Sequence, residues 1–290
     1  MPDLAITPLD DLAALAIRGP DAATFLQGQL SQDVELLPAR GALFAGLHNP
    51  QGRCLALLRL FHLGSDQILV VLPGELAGVV QAQLVRYVLR ARVRIEEANS
   101  SWRCYGLTGP DAEAAAETRI HLPLESAGFR QLIVAPRSEP LPQGHLASRE
   151  EWQIQDIEAG LPEVLGATSG EFIAQMLNLD AIDAIAFNKG CYTGQEIIAR
   201  AHYRGQVKRR MQLFHTDSTE VLAPGARIVL QDGRRAQVVQ AGITAEGAQE
   251  LLAVTTLPTA SGESGAADAT EDAVRRVAAI QMPLPYALPG

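Results

Sequence analysis

The sequence predicts an α+β protein: two related α+β units followed by a small antiparallel barrel or sandwich. Three observations carry that expectation. A strand-turn-helix entry occurs twice, as LAIRGPDAAT in residues 15–24 and YGLTGPDAEA in residues 105–114. Gly-Pro-Asp is turn and helix-start chemistry, with proline preset for a first helical turn. After about Val207 the texture changes to short apolar runs separated by Pro-Gly, Asp-Gly and Glu-Gly turns, the pattern of a small all-β unit. Finally, 290 residues with 47% hydrophobic and 20% charged side chains suit a globular chain of one large domain or two to three small ones. The expected division is a first α+β domain over residues 1–97, a second over 98–207, and a β domain over 208–290.

Taken in order, residues 42–47 and 54–63 read as strands around the Asn49-Pro50-Gln51-Gly52 turn, and residues 67–72 as a third strand. Residues 78–89 read as a helix and 92–95 as an alternating strand. In the second unit, 131–135 is a strand and the Pro- and Ser-rich stretch 136–144 a loop. Residues 171–187 (EFIAQMLNLDAIDAIAF) space Phe172, Ile173, Met176, Leu177, Leu179, Ile182 and Ile185 as a helix would. In the third unit, strands are expected over 211–215, 227–230, 236–244 and 250–256. Residues 259–272 form a low-complexity acidic loop, and 274–282 a closing strand.

Charge and cysteine usage exclude several classes. A net charge of −9 argues against a general nucleic-acid or anionic-membrane coat. The N-terminus carries Asp10 and Asp11 and no basic region, so a secretory signal is not expected. No apolar run approaches the ~18 residues of a membrane span. Cys54, Cys104 and Cys191 are odd in number and widely spaced, with no disulfide framework and no metal-ligand spacing, which points to a reducing cytoplasm. The histidines are scattered and read as surface or core residues.

The most informative stretch is KGCYTGQE: Lys189, Gly190, Cys191, Tyr192, Thr193, Gly194, Gln195 and Glu196. Lys189 is one of two lysines in the chain, beside Lys208, which argues that an ammonium suits this position. Asn188 and Gly190 are turn residues. Thr193 offers an N-cap, with Glu196 completing a capping box for a helix over the following residues. On that reading Cys191 lies on a turn just ahead of a helix N-terminus, where the dipole and Lys189 favour thiolate over thiol. A buried structural cysteine in a Gly-rich connection is the competing reading.

Downstream, RAHYRGQVKRR places Arg200, Arg204, Lys208, Arg209 and Arg210 beside His202 and Tyr203. Such a patch suits a polyglutamate tail, a phosphate backbone or an acidic protein, or is a solvated linker. Arg86, Arg90, Arg92 and Arg94 form a second, weaker candidate.

These segments resemble the YgfZ family of folate-binding proteins, relatives of the glycine-cleavage aminomethyltransferase. KGCYTGQE is that family's signature and stands unbroken. The resemblance extends over residues 172–205, upstream to DIEAGLP at 156–162, and to FLQGQL at 25–30 with Asp33, NPQGR at 49–53 and Leu284-Pro285-Tyr286. It implies two related aminomethyltransferase-like domains and a C-terminal antiparallel β-barrel around a folate cavity. It also implies tetrahydrofolate, or a one-carbon derivative, as cofactor. Glu158 matches the position that reads the pterin edge, with Asp33, Gln195 and Arg200 as further folate-binding candidates and Cys191 and Lys189 as the functional pair. A carboxylate suits the pterin because it accepts two parallel hydrogen bonds.

Departures qualify the resemblance. Ser31-Gln32-Asp33 replaces Thr-Asn-Asp, and Ala174 replaces a proline. Where aminomethyltransferases resemble Gly-Gly-x-x-Asp-Asp, this chain reads Gly52-Arg53-Cys54-Leu55-Ala56-Leu57. The carboxylate that would stabilise a cationic one-carbon centre is missing, so ordinary aminomethyl transfer is not expected. The resemblance therefore implies an accessory protein for iron–sulfur enzymes, with a tRNA thiotransferase among its partners and no membrane or direct nucleic-acid partner. A one-carbon transferase using Cys191 as nucleophile stays open, and an RNA-binding protein using the basic segment is the weaker third class.

Overall fold

The computed structural model describes residues 4–109, 119–122 (backbone), 129–205, 207–257 and 275–289. Three sheets carry the molecule. The first contains β2 (Leu12–Arg18), β3 (Ala42–His48), β4 (Cys54–His62), β5 (Gln67–Pro73) and β6 (Arg94–Glu97), in the antiparallel order β3-β4-β5-β2-β6. The second runs β10-β1-β7-β9-β8, from β1 (Ala5–Pro8), β7 (Trp102–Gly109), β8 (Arg119–Leu122), β9 (Phe129–Pro136) and β10 (His145–Leu146). The N-terminal strand β1 thus crosses to the second sheet. The third runs β15-β12-β13-β14-β11-β16, from β11 (Arg209–Thr216), β12 (Arg227–Val229), β13 (Arg235–Ile243), β14 (Gln249–Thr256), β15 (Arg275–Arg276) and β16 (Ile280–Met282).

Period-2 alternation explains the stacking of the first two sheets. Along β2, Leu15 and Ile17 enter the largest core, while Ala14 and Ala16 enter a second core. Along β5, Val70 and Leu72 face the first core, Leu69 and Val71 the second. Cys104, Leu132 and Val134 of the second sheet meet that second core, whereas Tyr105, Leu107 and Ile133 point to its far side. The first two sheets therefore pack face to face. This two-sided burial is why β2, β4 and β5 read as nearly continuous apolar runs. The third sheet sends Met211, Leu213, Val239, Leu252 and Val254 into the largest core. Its other face holds a separate cluster with Phe214, Val238 and Leu251.

The helices of the described residues are α1 (Ala22–Gln27), α2 (Leu37–Arg40), α3 (Gly74–Val85), α4 (Arg149–Glu158) and α5 (Gln195–Arg204). A capping box of Ser148 and Glu151 starts α4. No described helix is long and apolar enough to cross a membrane.

Most expected strands are present at or near their expected bounds. The helix expected over 78–89 lies earlier, at Gly74–Val85. The helix expected over 171–187 does not form; only a 3₁₀ turn, Ala174–Leu177, is helical there. Cys54 N–H donates to Phe172 C=O at 2.8 Å, Arg53 bridges Ile173, and Asn178 and Asp183 adopt φ of 56° and 54°. Its own successive turns, with bonds to β4 and Ser31, satisfy this segment's polar groups in place of a helical ladder, and its apolar spacing reflects burial from several sides. In the third sheet β15 runs parallel to β12, and the edge strands β15 and β16 are not neighbours in the strand order. The second GPDA turn beyond Gly109 and the acidic stretch 259–272 lie outside the described residues.

Candidate functional site

Cys191 is exposed, three residues ahead of the N-cap of α5. The cap is Gly194, at φ 82°, with no side-chain cap bond, so the capping box expected from Thr193 and Glu196 is not made. The demand for glycine at the cap is steric. A Cβ on Gly194 would lie 2.5 Å from Asn49 C=O and 3.0 Å from Gly52 Cα, and one on Gly52, at φ 70°, would lie 2.9 Å from Ile197 Cβ. Two backbones meet here, the Asn49–Gly52 turn and the start of α5. Glycine supplies both the positive φ and the clearance.

Lys189 fastens the other end of the loop. Its Nζ donates to the carbonyls of Gln27 at 2.8 Å, Leu30 at 2.7 Å and Gln32 at 2.9 Å. All three ammonium protons have acceptors, which explains a lysine where a planar guanidinium would not fit. Burial pulls its pKa down to about 8, against the upward pull of Asp33 and Glu35. Lys189 thereby ties the loop to the chain around α1. The ammonium also lies 5.1 Å from the centre of the buried Tyr192 ring, a cation–π contact. Burial raises the Tyr192 phenol.

Beneath Tyr192 lies His48, ring centres 6.4 Å apart. His48 is fully buried, neither ring nitrogen has a partner among the described residues, and burial lowers its pKa to about 3. Beside it, Ser31 Oγ donates to Ala184 C=O at 2.7 Å and accepts from Gly46 N–H at 2.8 Å. Sequence reasoning missed His48 as a neighbour of the motif. The available signal was position, since His48 immediately precedes the NPQGR turn that the loop packs on.

The other expected residues divide between two places. Asp33 caps the short 3₁₀ helix Val34–Leu36, its Oδ1 accepting from Glu35 N–H at 3.1 Å and Gln27 Nε2 at 2.9 Å. Gln195 opens α5 and Arg200 is exposed on it. Arg210, counted with the basic segment, is instead buried in a bidentate pair with Asp180, both bonds 2.9 Å. Gln175 Nε2 donates to Ile198 C=O at 2.7 Å, fixing α5 from below. Cys54 and Cys104 are buried, and burial pushes both thiols up to about 12.

Glu158, the last residue of α4, lies on a separate cleft of 1010 Å³ between α4 and the β13–β14 hairpin. No residue of KGCYTGQE lines it. Glu158 makes no hydrogen bond among the described residues, and its carboxyl is raised by partial burial and then by Glu250, against Arg130. Two free acceptor oxygens fit the donor edge of a pterin, and the cleft has the volume of a small-molecule pocket. The rest of its lining includes Glu150, Glu151, Asp217, Glu246 and Glu250, with His215 the basic exception. An anionic glutamate tail does not fit that lining.

No protein-family model matches the chain. It is 33% identical over 275 residues to a tRNA-modifying protein YgfZ of Serratia proteamaculans (strain 568), covering 84% of this chain and 82% of the relative. A second tRNA-modifying protein YgfZ, from Klebsiella pneumoniae (strain 342), is 33% identical over 278 residues, covering 87% and 84%. Among solved structures, the glycine cleavage system aminomethyltransferase T from Bartonella henselae is similar, with TM-score 0.68 over 88% of this chain and 79% of that one. Identity there is 16%, so that likeness concerns the fold.

Proposed function

The chain belongs to the YgfZ family, and from that premise we propose that it is a cytoplasmic, folate-binding accessory protein supporting assembly or repair of iron–sulfur enzymes and, through them, tRNA modification. The observation that carries the reading is the exposed thiol of Cys191 on a loop held by three backbone carbonyls through Lys189. An isolated, well-placed thiol serves transient contact with another protein. It is not a cluster site by itself, since iron–sulfur clusters are held by several ligands. The relatives' name, tRNA-modifying protein, agrees with that output. Aminomethyl transfer of the ordinary kind calls for a carboxylate beside the cationic one-carbon centre. At the corresponding stretch of β4, Cys54, Ala56 and Leu57 are buried in an apolar core instead.

In this reading two related α+β domains, the second completed by β1 from the N-terminus, and a C-terminal β-barrel surround a folate cavity. A reduced folate supplies a one-carbon unit or a reduced pterin when bound. Glu158 reads the pterin edge, and Gln195, at the start of α5, is the candidate on the Cys191 side for the anionic tail. Asp33 acts there only indirectly, because its carboxylate is engaged in capping.

Two substitutions test the proposal. Cys191→Ala is expected to leave folding and folate affinity intact and to abolish support of cluster-dependent tRNA thiolation in cells lacking the native gene. Glu158→Gln replaces an acceptor by a donor and is expected to weaken reduced-folate binding by about 1.5–3 kcal/mol in calorimetry. Full thiolation with Cys191→Ala would refute the accessory reading. Unchanged folate affinity in Glu158→Gln would remove that residue from the site.

A further inference from the structure

We propose that the exposed face of α5 is a docking surface for single-stranded RNA, with a base stacked on Tyr203 and flanking phosphates on Arg200, Arg204 and Lys208. The first observation is an aromatic platform. Phe187 stacks on His202 with ring centres 3.7 Å apart and planes at 13°. Tyr203 stands edge-on to both, 4.7 Å from His202 and 6.2 Å from Phe187, and remains 64% exposed. The contacts fix the ring and leave surface uncovered, as a stacking platform requires.

The second observation is charge. Arg200, Tyr203 and Arg204 fall at i, i+3 and i+4, on one side of α5. Arg200, Arg204 and Lys208 are exposed and make no ion pair among the described residues. Arg86, Arg90, Arg94, Arg227 and Arg276 are likewise exposed without an ion pair among the described residues, so what sets α5 apart is the ring that its cations flank. Glu196, one turn before Arg200, is the acidic group on this helix. Unpaired cations of α5 beside a fixed, exposed aromatic ring, with Lys208 following the helix in sequence, match a base flanked by phosphates better than an acidic peptide, which has no need of the ring.

This goes beyond the accessory reading, in which RNA is reached through another enzyme. The test is fluorescence anisotropy with the full chain and a labelled oligouridine of about 12 nucleotides, within the site sizes of single-strand binders. An RNA duplex and a polyglutamate peptide serve as competitors. Oligouridine is expected to bind, with a log–log salt slope near −2 for three phosphate contacts at about −0.7 each. Tyr203→Ala should weaken it roughly 5- to 150-fold and Tyr203→Phe little. Arg204→Ala should reduce the slope by about 0.7. Should Tyr203→Ala fail to fold, Arg204→Glu on the same face is expected to abolish binding. Equal affinity for duplex or polyglutamate, or oligouridine binding unaffected by the substitution, would overturn the proposal. Glu158→Gln is expected to lose folate and retain RNA, so the two readings fail separately.

Discussion

Lys189 shows how one side chain sets the geometry around a reactive neighbour. Its charge is partly buried yet all its protons are accepted. Lys189→Met leaves three carbonyls without their donor and is expected to cost about 1.5–3 kcal/mol in urea unfolding. The pH dependence follows from the direction of its shift. The folded pKa, about 8, lies below the ordinary lysine value of 10.5, so the unfolded chain binds more protons between the two. This group's contribution to stability therefore rises with pH across that window and falls as pH returns toward 8. The rise should be absent from Lys189→Met, and equal slopes in the two proteins would contradict the assignment. The thiols give a second residue-scale expectation. Cys191 is exposed while Cys54 and Cys104 are buried, so Ellman's reagent should titrate one thiol in the native protein and all three after denaturation.

At the scale of elements, the loop–helix junction depends on one of its two motif glycines. Gly194 combines a φ of 82° with backbone 2.5 Å from where a Cβ would stand. Gly194→Ala is expected to destabilise by at least about 2 kcal/mol, the scale of forced left-handed backbone, and to displace the start of α5. A Cβ on Gly190 meets nothing within 4 Å, so Gly190→Ala should stay within about 0.5 kcal/mol. Thermal melts of the two variants decide this, and equal losses would show that the close approach is not what the motif conserves room for. The segment 171–187 teaches the converse. Its apolar residues have helical spacing, yet backbone bonds to β4 and the positive φ of Asn178 and Asp183 make it an irregular strap. Spacing reports which residues are buried. It cannot report that burial comes from a sheet on one side and α5 on the other.

Across the whole molecule, polar clamps join the parts. Arg210 of β11 pairs with Asp180 in the strap, and Asn178 Nδ2 donates to Met211 C=O at 2.9 Å. Tyr286, near the C-terminus, donates to Gly160 C=O at 2.7 Å. Breaking a buried pair strands a charge. Asp180→Ala is expected to destabilise by about 3–5 kcal/mol, and the double replacement Asp180→Leu with Arg210→Met to recover most of that. Chemical denaturation of both variants checks the difference; comparable losses would mean that the pair acts as more than a mutual neutralisation.

By itself the sequence determined most strands of the three sheets, though not β1, β8 or β10, since alternation and turn chemistry are local and periodic. It also singled out KGCYTGQE, the exposed cysteine within it, and the family to which the segments FLQGQL, NPQGR and DIEAGLP point. Only the tertiary structure decided that the first two of these segments converge on the Cys191 loop: Gln27 and Leu30 through their carbonyls, and Asn49 and Gly52 through backbone contact with Gly194. It likewise decided that Glu158 faces a different cleft, that His48 is buried under Tyr192, and that β1 joins the second sheet. The physical reason is the same in each case. Lys189 meets backbone carbonyls, which every residue carries and no residue name encodes, and the partners lie some 160 positions away. Such contacts exist only once the chain has folded.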